Sequence, residues 1–184
     1  MIIGLTGKYC AGKNHIAGIL EKRGLPVLDV DKLGHKVIET EKTIILERFG
    51  KDILRSNGTI DRKLLGAKVF GKSEELAALE AIIHPAVNRE TSAWIEAQKG
   101  PCVINAALLH RSSAFKVLDA LIIVEAPVLT RLLRARRRDH LSFKDLLKRF
   151  QSQREFSFQY FTKQADIYRV KNTLSDFENA SKDP

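Results

Sequence analysis

One heptapeptide constrains this chain more than anything else in it. Gly7-Lys8-Tyr9-Cys10-Ala11-Gly12-Lys13 fits the pattern G-x-x-x-x-G-K. The run Ile2 to Thr6 before it is β-branched and apolar, the composition of a buried strand. After Gly12, apolar Ile16, Ile19 and Leu20 recur at helical spacing until Gly24, a natural helix stop. Pro26-Val27-Leu28 then reads as a second strand, ending at Asp29. Strand, loop, helix and strand make a βαβ unit, whose parallel crossover is right-handed in nearly all proteins. In such a loop the glycines let backbone N–H groups curl into a concave anion site. The helix N-terminus adds a favourable dipole, and Lys13 neutralises β- and γ-phosphate oxygens. The expected ligand is therefore ATP, held by Gly7, Cys10, Ala11, Gly12, Lys13, Asn14 and His15.

Residues 31–99 contain almost nothing strand-like, and their helical periodicity breaks at Gly50, at Asn57-Gly58 and at His84-Pro85. Val103 to Ala106 and Leu121 to Val124 return to the buried-strand pattern. A charged helical stretch runs from about 128 to 162, interrupted near Asp139-His140-Leu141-Ser142, and a last strand spans Ile167 to Val170. The pattern predicts one α/β domain with three parts: a core (about 1–30, 100–127 and 163–184), an inserted helical lobe (about 31–99) and a helical lid (about 128–162). The polar tail from Asn172 to Pro184 is expected to be mobile.

With 184 residues, 44% of them apolar, the chain can bury a real core. No apolar run approaches the ~20 residues of a membrane span, and no leader precedes the first strand, so the expected location is the cytoplasm. Cys10 and Cys102 have no zinc or redox spacing and are expected to be reduced thiols. A net charge of +9 suits polyanionic ligands. The basic residues are densest in Arg131, Arg134, Arg136, Arg137 and Arg138 and in Lys144, Lys148 and Arg149. They fall in one stretch with a helical pattern and not in a terminal arm, which argues against a nucleic-acid-binding tail.

Several residues carry candidate chemistry. A Ser or Thr usually follows the loop lysine and ligates Mg²⁺; here the position is Asn14, whose amide oxygen is a candidate magnesium ligand, directly or through water, or else only packs the loop helix. Asp29 and Asp31 bracket Val30 at the carboxyl end of the second strand, where ligands of open α/β sheets bind. In a strand-like segment alternate residues share a face, so both can look toward one cleft; Asp31, at the start of the following helix, is the candidate base that orients an acceptor hydroxyl and takes its proton. Aspartates at such junctions also cap helices. Arg134 and Arg138, four apart, share a helix face from which an arginine can close on a transferred phosphoryl group.

Taken in order, these segments resemble the dephospho-CoA kinase family. The resemblance rests on Gly4-Leu5-Thr6-Gly7 with Gly12-Lys13, on Leu28-Asp29-Val30-Asp31-Lys32-Leu33-Gly34-His35, and on Asn57 to Lys63 with Leu65 and Val69-Phe70. It continues through Leu79 to Val87, which includes His84-Pro85, and through Arg138-Asp139, Arg149, Gln153 and Ala165-Asp166. What it implies is a P-loop fold with a five-stranded parallel sheet, a helical coenzyme lobe and a helical lid. The implied reaction moves the γ-phosphoryl group of ATP, with Mg²⁺, to the ribose 3′-hydroxyl of dephospho-CoA. Asp31 falls on the catalytic carboxylate, Lys13 on the phosphate lysine and Arg138 on the lid arginine. His84 falls in the coenzyme lobe, either shaping the acceptor site with Asp29 and Asp31 or fixing a helix junction as a buried histidine.

The chain departs from the family at Lys8 to Ala11, where small residues are commoner, and at Asn14-His15 in place of two hydroxyl residues. After the third strand it reads Asn105-Ala106-Ala107-Leu108, where relatives often carry an acidic residue and a proline. Two alternatives remain open at this point: another small P-loop kinase for a nucleoside, nucleotide or sugar acid, and a weakly catalytic protein that only holds nucleotide or CoA. Oligomeric state is not legible.

Overall fold

The computed structural model describes residues 1–139, 150 and 166–173. Five strands form one sheet: β1 (Ile2–Gly7), β2 (Val27–Asp29), β3 (Cys102–Asn105), β4 (Ala120–Glu125) and β5 (Asp166–Lys171). Their order is β2-β3-β1-β4-β5, so the first strand lies in the middle. β1 pairs in parallel with β3 (Leu5 opposite Asn105) and with β4 (Gly7 opposite Val124), and β4 pairs in parallel with β5. A central strand has no solvated face, which explains why Gly4 to Gly7 are all buried.

Two compact units divide the chain, Met1–Leu28 with Gln98–Pro184, and Asp29–Ala97. In the first, helix α1 (Lys13–Lys22) covers the sheet through Ala17, Ile16 and Leu20, which pack with Ile3, Leu5, Val103 and Val124. Helix α6 (Val128–Asp139) follows β4. Most of the stretch expected to form a lid, residues 140–149 and 151–162, lies outside the described residues, as do 163–165 and the tail from residue 174.

The second unit is helical: α2 (Val30–Thr40), α3 (Lys42–Phe49), α4 (Arg62–Val69) and α5 (Ser73–Glu96), with one isolated antiparallel bridge between Leu54 and Ile60. Ile45, Phe49, Ile53, Ile60, Leu65, Val69 and Leu79 make its core. The expected break at His84-Pro85 is not there, because α5 runs unbroken through Pro85. Proline removes one backbone donor and strains the turn before it. Leu79 and Ala86 are both buried and lie seven residues apart on one face, so the packing of α5 on α2 and α4 continues across the proline and holds the helix together. His84 is consequently exposed in mid-helix, which removes the reading of a buried histidine at a helix junction. Among the described residues, no helix is long and apolar enough to cross a membrane.

Candidate active site

The loop between β1 and α1 is shaped by what holds its carbonyl groups. Ala11 C=O accepts from Arg134 Nη1 at 3.2 Å and from Asn172 Nδ2 at 3.0 Å; Arg134 Nη2 also donates to Asn172 Oδ1 at 3.1 Å. Tyr9 C=O accepts from Arg131 Nη1 at 3.5 Å, and Lys8 C=O accepts from Ala11 N–H at 2.9 Å. In a trans peptide the C=O and the next N–H point opposite ways. Anchoring these three carbonyls therefore aims the N–H groups of Gly12, Cys10 and Tyr9 in the reverse direction, the arrangement an anion-binding concavity needs.

Gly12 stands at the head of α1 in the left-handed region, with φ 99°. It contributes no capping side chain, and the first turn of α1 contains no acidic residue, so the positive end of the helix is left for an anion. Any Cβ at position 12 would collide with the Asn172 side-chain amide. Lys13 and His15 occupy the first turn. The thiol of Cys10, at φ 58°, is pushed up by burial and drawn back by Arg138. Both cysteines are free thiols.

Arg134 and Arg138 do share a face toward the loop, but they do different things. Arg134 buttresses the backbone. Arg138 lies over the Tyr9 ring, 5.2 Å from its centroid, and pairs with Asp139 at 2.7 Å, which holds its guanidinium in the charged form. Tyr9 donates its hydroxyl proton to the same Asp139 carboxylate. Arg131 is buried and stacks on Phe150 at 4.9 Å. Nothing in the local sequence marks Arg134 and Asn172 as partners of the loop.

Asn14 Oδ1 accepts from Asn105 Nδ2 at 3.2 Å. Asn105 ends β3 and is buried. Among the described residues, no group of three or more His, Cys, Asp or Glu side chains could hold a metal ion. Two neutral amides, one of them spent on the other, do not fit a Mg²⁺ ion held by the protein itself, which favours carboxylates.

A cavity of about 440 Å³ opens at the carboxyl ends of β4 and β5 and is lined by Lys8, Glu125, Pro127, Arg131, Lys171 and Thr173. Its size falls in the range of small-molecule sites.

In the second unit, β2 ends at Asp29 and Asp31 lies in the first turn of α2, the helix start expected for it, although the two aspartates are not related by strand alternation. The strand stops because Asp29 caps α2: its carboxylate accepts from Lys32 N–H at 3.1 Å. His35, one turn on from Asp31, has its pKa lowered by burial and by Arg62, against the pull of Asp31 and Asp29. The structure thus brings Asp29, Asp31, His35 and Arg62 into one electrostatic cluster.

The strand order and the anchored loop define a P-loop kinase fold. Known proteins carry this further. The sequence profile described as dephospho-CoA kinase matches residues 1–173. A dephospho-CoA kinase of Treponema denticola is 35% identical over 95% of this chain and 83% of its own length. A Thermus thermophilus protein of known crystal structure superposes with a TM-score of 0.80 at 28% identity, covering 99% of this chain and 94% of that one. The dephospho-CoA kinase of Campylobacter jejuni does so with a TM-score of 0.68 at 26% identity, covering 97% and 92%. This chain belongs to the dephospho-CoA kinase family.

Proposed function

We propose that the protein transfers the γ-phosphoryl group of ATP to the ribose 3′-hydroxyl of dephospho-CoA, giving ADP and CoA. The observation that carries the phosphate half of this reading is the Ala11 peptide, pinned from behind by Arg134 and Asn172 so that the Gly12 N–H faces the other way. Support for the acceptor comes from the relatives, which are named for it.

In this reading, loop amides and the α1 N-terminus bind the β- and γ-phosphates, and Lys13 follows the charge that spreads over the transferred group. The nucleoside end occupies the cavity between Lys8 and Thr173. ATP arrives as its magnesium complex, in which the ion neutralises phosphate oxygens. Asp31 orients the acceptor hydroxyl and takes its proton. Arg62 offers a cation to the acceptor's phosphates. His35, its pKa lowered, is neutral at pH 7 and adds no competing charge beside Asp31. Arg138 leaves the Tyr9 ring to meet the phosphoryl group. His84, exposed on α5, contributes to the acceptor side. The surroundings are those of a cytoplasmic enzyme acting on small molecules, without nucleic acid or membrane.

The test is CoA formation from ATP, Mg²⁺ and dephospho-CoA, read by mass. Lys13→Ala should lower kcat/KM for ATP by at least about a hundredfold, the scale of one electrostatic contact to the transition state. Asp31→Asn should keep nucleotide affinity and cut turnover by a similar factor; unchanged turnover would remove Asp31 from the reaction.

A further inference from the structure

We propose that Asn14 and Asn105 form a charge-neutral pair that uncouples nucleotide binding from magnesium, so that metal comes and goes only with the phosphates it rides on. The inference rests on the phosphate-loop reading above. P-loop proteins ordinarily place a hydroxyl after the loop lysine and an aspartate at the end of a neighbouring strand, and both serve the metal. Here both positions are amides, and they touch: Asn105 Nδ2 donates to Asn14 Oδ1 at 3.2 Å. The register supports the correspondence, because β3 lies directly beside β1 and Asn105 is paired with Leu5, two residues before the loop begins at Gly7.

The second oxygen of the pair gives the reason for an amide. Asn105 is only 2% exposed, and its Oδ1 is buried with no hydrogen-bond partner among the described residues. An aspartate would put a charged oxygen in that position. Without a cation nearby, a buried unpaired carboxylate is costly, and it would also repel the phosphates of a metal-free nucleotide. An amide avoids both effects, and with them it gives up the pull on Mg²⁺ that a carboxylate provides. By linkage, a site that does not favour the metal cannot have its nucleotide affinity raised by the metal through that site.

The experiment compares wild type, Asn105→Asp and Asn14→Asp with ADP as the probe, by calorimetry in Mg²⁺ and in EDTA, and with Mg²⁺ alone by thermal unfolding. In wild type, chelation should change the ADP dissociation constant by less than about threefold, and Mg²⁺ alone should leave Tm in place. In Asn105→Asp, Tm in EDTA should fall by roughly 3 °C or more and recover with Mg²⁺, and ADP should bind at least about tenfold more weakly in EDTA than in Mg²⁺. Asn14→Asp carries the charge in from the exposed member and should produce the same metal dependence, which decides the matter if the buried aspartate prevents folding. A tenfold loss of ADP affinity on chelating wild type, or a variant with no added metal dependence, overturns the neutral pair. Wild type that binds no ADP in either buffer overturns the phosphate-loop reading as well, so the two failures are told apart.

Discussion

The first turns of helices α1 and α4 are satisfied in opposite ways. α4 opens on Asp61, whose carboxylate accepts from Lys63 N–H at 2.8 Å and Leu64 N–H at 3.4 Å and is further held by Arg55 at 3.2 Å. α1 opens on Gly12, with no side chain to offer, and its loop is secured through carbonyl groups by Arg131, Arg134 and Asn172. At α4 a side chain fills the orphan N–H groups of the first turn. At α1 no side chain fills them, and the loop is stabilised instead from its carbonyl side.

The contrast is most easily broken at glycine. Gly12 and Gly58 share a positive φ, 99° and 77°, but a Cβ on Gly12 meets the Asn172 amide, whereas one on Gly58 meets, among the described residues, nothing closer than Lys42 Nζ at 3.9 Å. Gly12→Ala should weaken ADP binding by a hundredfold or more in a calorimetric titration. Gly58→Ala should cost about 1 kcal/mol of stability, the ordinary strain of a side chain at positive φ, and leave ADP binding alone. Equal effects would mean that the loop is not shaped by its buttress.

A smaller effect is expected from the buttress itself. Asn172→Ala and Arg134→Met each remove one donor from Ala11 C=O and should weaken ADP about tenfold, with a lower Tm, since each leaves a buried group short of a partner. Their double variant should lose less than the product of the two, because both act on one carbonyl.

The smallest belongs to α4. Backbone N–H groups and Arg55 hold the Asp61 carboxyl below its ordinary 3.8. A lowered pKa contributes stability above the unfolded-state value and loses it as pH falls through the folded-state one. Asp61→Ala should therefore lower Tm by a few degrees near neutrality and flatten its acid dependence below about pH 4, while ADP affinity stays put. A change in ADP affinity would contradict the separation of roles.

Much of this was legible in the sequence, because the relevant signals are local. The apolar run Ile2 to Thr6, the glycines flanking the loop and the buried-strand pattern at 103–106 and 121–124 each reflect a neighbour a few residues away, and all four elements appear where the pattern places them. What was not legible depends on distance. The Ala11 carbonyl is served by residues from α6 and from the end of β5, more than a hundred positions downstream, and no periodicity encodes such a meeting. Pro85 misled for the opposite reason: its local rule is strong, but packing on both sides of it is stronger. Asp31 stands at the start of the helix after β2, as its sequence context indicates; what fails is only the strand-like pairing with Asp29, since capping by Asp29 starts the helix at Val30.

The helical unit enters the chain as a single interruption between β2 and β3, which are adjacent strands of the sheet. A parallel crossover needs only about a dozen residues, so everything beyond that length is free to vary without touching the order of the other strands. Under the proposed function, choice of acceptor can then be exchanged like a cartridge while the grip on the donor is inherited intact, and a chimera that keeps residues 1–28 and 98–184 and swaps the intervening piece is the protein this topology invites.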